Sequence, residues 1–150
     1  MAIVRTAGTE IIRSHAFEHI NSADTTLIYG VQHHIYTVLS VIIESRVLQA
    51  TGNHIYLELS GYDAKAGTTA QGIRLLKHSF GAADETFVWN DKFSFNGTEP
   101  TDFTGPIDSE AKQDAIADQG SAVRQILKCS TANASDEFEI LITFIDQNNA

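Results

Sequence analysis

The chain has 150 residues and carries 19 acidic against 10 basic side chains, giving a net charge of −9. This length fits one domain that buries roughly 70% of the surface its unfolded form would expose. The basic residues are scattered singly, which excludes the clusters of Lys and Arg that a nucleic-acid-binding protein needs. The single cysteine, Cys129, excludes an intrachain disulfide and a cysteine-based zinc site, and it fits folding in a reducing cytoplasm.

The N-terminal segment, residues 1–26, is predicted to be an arm or a short helix. It has no long apolar core, so we expect neither a secretory signal nor a membrane anchor. TEIIRSHAFEHI, residues 9–20, fits a short helix and fits equally an arm that leaves the domain and lies on a neighbouring subunit. Its apolar side chains exceed what a free tail exposes to water, so we expect them to be buried, preferably at a subunit boundary. The candidate contact residues in this segment are Ile11, Ile12, His15, Phe17 and His19.

Residues 27–150 are predicted to form the folded domain, because strand-like segments recur there at short intervals. The first two, residues 27–43 and 53–61, are predicted to pair as a hairpin. Further strands are predicted at 71–80, as two short pieces within 86–97, and as a last pair at 121–130 and 137–147. β-Branched and aromatic residues with polar connectors predict an all-β fold, an antiparallel, jelly-roll-like β-sandwich of about eight strands. The predicted core comprises Leu39, Val41, Leu57, Leu59, Leu75, Phe87, Trp89, Ile140, Ile142 and Phe144.

One long connection, residues 99–121, interrupts the strand pattern. It holds both prolines of the chain and then Ser109, a candidate N-cap followed by good helix formers, so it is predicted to be partly helical. A connection of this length in a compact domain is usually functional or contacts another molecule. Phe103 and Asp108 are therefore candidate contact residues.

Four histidines raise the question of a metal site. His15 and His19 are four residues apart, but HAFEH lacks the glutamate that HExxH uses as a general base. His33 and His34 are adjacent, and neighbouring residues on a strand point to opposite faces, so at most one of them could join such a site. We predict strand-end and surface imidazoles and no metal or cofactor, with the outward imidazole of this pair at an oligomer or capsid contact.

No arrangement typical of an enzyme is present in the sequence. There is no GxSxG motif, and Cys129 falls on an inward-facing strand position where a small apolar side chain packs well. Trp89 and Phe87 could form a platform on which a sugar stacks, but a core position is the favoured interpretation. We therefore predict that the protein is not an enzyme.

GVQHHIYTVLSVIIESR, residues 30–46, followed by NHIYLELSGYDA, resembles the opening of small β-sandwich structural proteins found in tailed bacteriophage particles, especially those of marine phages. The stretch from Asp91 to Gln147 is similar to the closing half of such proteins, and the resemblance covers roughly residues 27–147. Glu44 and Ser45 stand where these proteins tend to carry a Cys-Asn pair. The resemblance implies a virion component without catalytic residues, and a capsid decoration (cement) protein is the favoured role.

This role implies the major capsid protein as partner, self-association with a trimer favoured, and no binding to nucleic acid or membrane. It also implies synthesis in the host cytoplasm and a final location on the capsid exterior. Two alternatives stay open. The chain could be another virion component, such as a head-to-tail connector or tail protein, or it could be a carbohydrate-binding β-sandwich module.

Overall fold

A computed structural model describes residues 8–100, 108–111 and 122–149. These residues form antiparallel strands almost throughout, and none of them belongs to a helix long and apolar enough to cross a membrane. The strands are β1 (Thr9–Ile20), β2 (Thr25–Tyr29), β3 (His34–Val47), β4 (His54–Asp63), β5 (Thr68–Ser79), β6 (Thr86–Trp89), β7 (Phe93–Asn96), β8 (Thr98–Pro100), β9 (Ala122–Arg124), β10 (Ile126–Thr131) and β11 (Glu137–Asn148).

Two sheets pack face to face, which confirms the predicted antiparallel β-sandwich. Sheet A has the order β1-β11-β3-β6, and β7 pairs with residues 35–38 of β3 while β6 pairs with residues 41–44 of the same strand. Sheet B has the order β2-β10-β4-β5, and the short strands β8 and β9 pair with each other. Successive strands often change sheet, as in the steps from β1 to β2 and from β2 to β3. The chain thus wraps around the core, as expected for the predicted jelly-roll-like fold.

The predicted hairpin of the first two segments is wrong. β3 lies in sheet A and pairs with β11, whereas β4 lies in sheet B and pairs with β10 and β5. The last two strands likewise lie in different sheets and do not pair with each other. Both errors have the same cause, since alternation along a strand shows which face is apolar and carries no information about the neighbouring strand.

Of the two alternatives predicted for residues 9–20, a short helix or an arm, the helix is wrong, because this segment is strand β1. It pairs antiparallel with β11 from Thr9 opposite Asn148 to Ile20 opposite Phe138, with one irregularity near its end. Its odd-numbered residues share the inward face of sheet A up to Phe17, which packs on the core, and Ile20 is fully buried. The adjacent Ile11 and Ile12 obscured this alternation in the sequence, because they occupy opposite faces of one edge strand.

A β-bulge in β3 divides the predicted core. Thr143 lies opposite Ser40 and Phe144 lies opposite Val38, so Leu39 is the additional residue. Even-numbered residues of β3 face inward before the bulge and odd-numbered residues after it, which keeps Leu39 out of the buried cluster. Of the predicted core, Val41, Leu57, Ile140, Ile142 and Phe144 are buried, and Leu59, Leu75, Phe87 and Trp89 pack at its margin.

Most of the predicted long connection lies outside the described residues. Its first two residues, Glu99 and Pro100, belong to β8. The candidate contact Phe103 and most of the proposed helical stretch are among the residues that the structure does not describe. Asp108 is described and exposed.

Two glycines permit a close crossing of backbones where β2, β7 and β10 meet. The Gly30 amide donates to the Gln125 carbonyl at 2.9 Å, and the Gln125 amide donates to the Gly97 carbonyl at 2.9 Å. A Cβ atom on Gly97 would overlap the Val31 carbonyl oxygen, and one on Gly30 would overlap the Gly97 carbonyl oxygen. Backbone atoms cannot move aside as a flexible side chain can, so this crossing requires glycine at both positions.

Gly97→Ala should destabilise the protein by at least about 2 kcal/mol, because the crossing segments must separate. Gly72→Ala is the control, since the atoms nearest to its added Cβ belong to the flexible side chain of Glu58, and it should change stability by less than about 0.5 kcal/mol. The free energies of unfolding in urea measure both. Equal stability of the two variants would contradict the tight crossing.

A buried carboxylate joins the two connections at the opposite end of the sandwich. The side chain of Asp136 is fully buried, and its Oδ1 accepts hydrogen bonds from the Gln49 amide at 2.8 Å and from Asn53 Nδ2 at 3.2 Å. Its Oδ2 has no hydrogen-bond partner among the described residues. The carboxylate therefore fixes the connection from β3 to β4 against the connection from β10 to β11, and both of these pass from one sheet to the other.

Asp136→Ala should lower the free energy of unfolding by about 2 to 3 kcal/mol, because it leaves the Gln49 amide and the Asn53 side chain without their acceptor. Asp136→Asn keeps an acceptor oxygen and should cost about 1 kcal/mol. Chemical denaturation of both variants measures the difference. A loss as large for asparagine as for alanine would show that the charge, and not the accepted hydrogen bonds, stabilises this end.

Candidate assembly surface

The outward side of sheet A is unusually apolar for a surface facing water. Ala16, Leu141, Ile42 and Val88 lie directly opposite one another on four adjacent strands and form one continuous row. Leu141 is 38% exposed and Val88 is 49% exposed. In a two-layer sandwich the outward positions are normally polar, so this row departs from the usual alternation. We call the outward side of sheet A the A face.

Hydroxyl pairs separate this row from further apolar residues on the A face. Ser14 Oγ and Thr143 Oγ1 are 3.0 Å apart on neighbouring strands, and Thr37 Oγ1 and Ser94 Oγ are 2.9 Å apart. Ile12, opposite Ile145, lies beyond the Ser14–Thr143 pair at the β1 edge, in the row that continues through Thr37 to Ser94. Because each hydroxyl already has a partner within the protein, covering these groups would cost less than covering unpaired ones.

Glutamates border the A face at one end. A shallow groove of about 510 Å³ lies there, lined in part by Ala16, Ile42 and Leu141 and by the acids Glu18, Glu44 and Glu139. Arg46 Nε lies 3.1 Å from Glu139 Oε1, and this hydrogen bond raises the pKa of the Arg46 guanidinium. The A face therefore combines an apolar centre with an acidic border.

The outward side of sheet B, which we call the B face, has a different character. Lys128 Nζ lies 2.9 Å from Asp24 Oδ2 and 3.5 Å from Glu58 Oε1, and the hydrogen bond with Asp24 raises the pKa of Lys128. The Arg74 guanidinium lies over the Tyr56 ring, 3.9 Å from its centroid. Lys77 is exposed beside Tyr56 on the neighbouring strand. Cations and tyrosine rings thus dominate this face.

β1 forms one edge of sheet A, and within the described residues no further strand pairs with its outer side. Along this edge Ile12 is 69% exposed on the A face and Ile11 is 36% exposed on the opposite face. A strand edge of this length presents a row of backbone donors and acceptors that another chain can pair with. Exposed isoleucines on both faces of the edge strengthen that tendency.

The other candidate contacts of β1 differ in their surroundings. His15 is half-buried and meets the Phe144 ring edge-on at 5.3 Å, and Phe17 packs against the core, so both contribute chiefly to the domain itself. His19 is exposed, has a positive φ of 56°, and places Nδ1 3.3 Å from Glu137 Oε2. Of the five predicted contacts in this strand, Ile11, Ile12 and His19 face solvent.

His33 and His34 take separate roles at the start of β3. His33 has a φ of 67° in the preceding turn, and its carbonyl accepts a hydrogen bond from the Asn149 amide at 2.7 Å. His34 is the first residue of β3, and its Nδ1 lies 2.6 Å from Asp146 Oδ1. Arg13 Nε lies 3.7 Å from Asp146 Oδ2, so this carboxylate joins side chains from β1, β3 and β11. The sequence did not predict this ionic cluster, because its members are far apart along the chain.

Among the residues that the structure describes, no three His, Cys, Asp or Glu side chains are close enough together to hold a metal ion. His33 and His34 line a second cleft, of about 270 Å³, together with Asn96 and Asn149. His33 and His34 thus lie together at the start of β3, whereas His15 and His19 lie on β1.

Cys129 is buried in the core on β10, as its strand position predicted. Burial removes water from the thiol and raises its pKa to about 12, with a smaller contribution from the charge of Asp24. A thiol whose pKa is raised in this way stays protonated at neutral pH and is a poor nucleophile.

Cys129 should react with an aromatic disulfide reagent at pH 8 roughly a thousandfold more slowly in the folded protein than in denaturant, because burial suppresses the thiolate. Stopped-flow absorbance measures both rates. A Cys129→Ser variant that also carries Ser79→Cys provides an exposed thiol and should react rapidly when folded. Fast labelling of the native Cys129 would contradict its place in the core.

No protein-family model matches the chain, and no curated protein matches its sequence. Several solved structures are similar. A chain from the disulfide-linked pili of Bacillus endospore appendages is 10% identical, with 100% of this chain and 97% of that chain covered and a TM-score of 0.41. A turnip yellow mosaic virus chain is 9% identical, with coverages of 99% and 85% and a TM-score of 0.31.

A chain of the infectious bursal disease virus T13 particle is 6% identical, with 99% of this chain but 37% of that chain covered and a TM-score of 0.34. This chain therefore spans little more than a third of the viral chain. The three structures belong to virus particles or pili. Given these low identities and scores, the assignment of the fold rests on the strand pairing described above.

Proposed function

We propose that this chain is a structural protein of a virus particle and that it acts as a decoration (cement) protein on the outer capsid surface of a tailed bacteriophage. The observation that carries the proposal is the edge strand β1, which is long and unpaired by any described strand on its outer side and exposes Ile11 and Ile12. The resemblance of residues 27–147 to phage virion proteins supports it.

β1 can attach the protein by adding its outer edge to a strand of a capsid subunit. Main-chain hydrogen bonds then supply affinity, and the two isoleucines bury apolar surface on either side of the extended sheet. The inward face of β1 is suited to this because sheet B does not fully cover it near Ile11, which lies opposite Asp146. A partner strand would complete the cover.

Such attachment stabilises a shell without any chemical reaction. A protein that binds the assembled capsid and not its separated subunits shifts the equilibrium toward the assembled state. Binding across neighbouring subunits adds interface area that resists the pressure of the packaged genome. The net charge of −9 keeps the free protein soluble until it binds.

Particles assembled with the Ile11→Lys variant should carry at least about tenfold fewer copies of the protein than wild-type particles, because a lysine on an edge strand opposes pairing with another strand. Ile73→Lys is the matched control, since Ile73 is 60% exposed on the edge strand of sheet B and should leave occupancy unchanged. Quantitative mass spectrometry of purified particles measures the copy number, and circular dichroism confirms that both variants fold.

Particles without the protein should still assemble. They should release their genome at a lower temperature than wild-type particles. Absence of the protein from purified particles would overturn the virion role altogether. A few copies at one vertex would support a connector or tail component over a decoration protein, and full occupancy of the Ile11→Lys variant would exclude the β1 edge as the attachment site.

A further inference from the structure

The two outward faces of the sandwich are complementary to each other. We infer that the A face of one copy of the protein stacks on the B face of a second copy, so that the copies join head to tail. This inference goes beyond attachment to a capsid, because it assigns a partner to a surface other than the β1 edge and applies to the protein in the absence of any particle.

The size of the A face suits a stable contact. The strands β1, β11 and β3 each have at least 12 residues, and β6 and β7 add four residues each beside β3. At about 4.8 Å between strands and about 3.3 Å per residue, the A face covers roughly 700 Å². Stable protein interfaces bury about 800 Å² on each partner. The central row of Ala16, Leu141, Ile42 and Val88 and the internally paired hydroxyls give this area an apolar core of the kind such interfaces have.

The B face offers the matching chemistry. Tyr56 and Tyr29 expose aromatic surface beneath the guanidinium groups of Arg74 and Arg124, which lie 3.9 Å and 4.2 Å from the ring centroids. Tyrosine and arginine are among the residues enriched at protein interfaces. These rings can cover the apolar row of the A face.

Charge selects this pairing over stacking of two identical faces. The A face carries Glu18, Glu44 and Glu139 beside Arg46, whereas the B face carries Arg74, Lys77 and Lys128 beside Glu58 and Asp24. Two A faces would bring acidic borders together, and like charges placed across an interface oppose association. An A face on a B face brings glutamates to lysines and arginines instead.

Contact between different faces leaves one face of each type open at the two ends of any dimer. Association therefore continues beyond two copies, either to a closed ring or to an open stack, according to the rotation between successive copies. The contact should also weaken with added salt, because the charged groups lie at the exposed border of the interface.

The test uses the purified full chain and two variants, each of which closes one face. Val88→Lys places a cation in the apolar row of the A face, and Lys77→Glu removes a cation from the B face and adds an anion. Val31→Lys and Lys65→Glu make the same changes at exposed positions on neither face, with Val31 45% exposed. Circular dichroism and thermal unfolding check that all four variants fold.

Sedimentation velocity from about 1 μM to about 1 mM should show wild-type species larger than a dimer. Val88→Lys and Lys77→Glu should each weaken self-association at least about tenfold, and the two control variants should match the wild type. An equal mixture of Val88→Lys and Lys77→Glu should form a 1:1 complex and nothing larger. The intact B face of Val88→Lys binds the intact A face of Lys77→Glu, and the complex then has only altered faces at its two ends.

A wild-type protein that stays monomeric at every concentration overturns the inference. Full self-association of Lys77→Glu overturns the head-to-tail arrangement in favour of contact between identical faces. A mixture of the two variants that forms no complex shows that the A face and the B face do not bind each other. These outcomes do not depend on attachment to a particle, which the copy number of the Ile11→Lys variant tests separately.

Discussion

A sheet in a two-layer sandwich can bury only one of its faces against the other sheet, and this constraint governs the whole molecule. Sheet A carries apolar residues on both sides, with Val41 and Ile43 inside and Ile42 and Leu141 outside. The inward side is covered by sheet B. The outward side has no such cover among the described residues, so its apolar row is exposed to water in the isolated chain.

The two ends of the sandwich hold the sheets together by different means. At one end backbones cross so closely that Gly30 and Gly97 leave no space for a side chain. At the other end the buried carboxylate of Asp136 accepts hydrogen bonds from the connection between β3 and β4. Both devices act where the chain passes between the sheets. They fix the relative positions of the outward faces and hence the shape of any interface built on them.

The charged groups are divided between the surfaces in a way that suits association. Glutamates border the A face, cations and tyrosines occupy the B face, and the ionic cluster of His34, Asp146 and Arg13 lies near the β1 edge. The A face, the B face and the β1 edge are separate surfaces, so a contact at the edge leaves both faces accessible.

The sequence by itself determined that the chain is all-β, where most strands lie and that Cys129 faces the core, because alternation and strand propensity are local properties. Only the tertiary structure decided which strands are neighbours, because the hydrogen bonds between strands of one sheet join residues that are far apart in the sequence, as between β1 and β11. It also decided the bulge at Leu39, which reverses the inward side of β3 and places Ile42 on the A face.

The apolar row of the A face could not be predicted from the sequence. Its four members come from four strands, and no local pattern shows that they meet on the side that sheet B leaves uncovered.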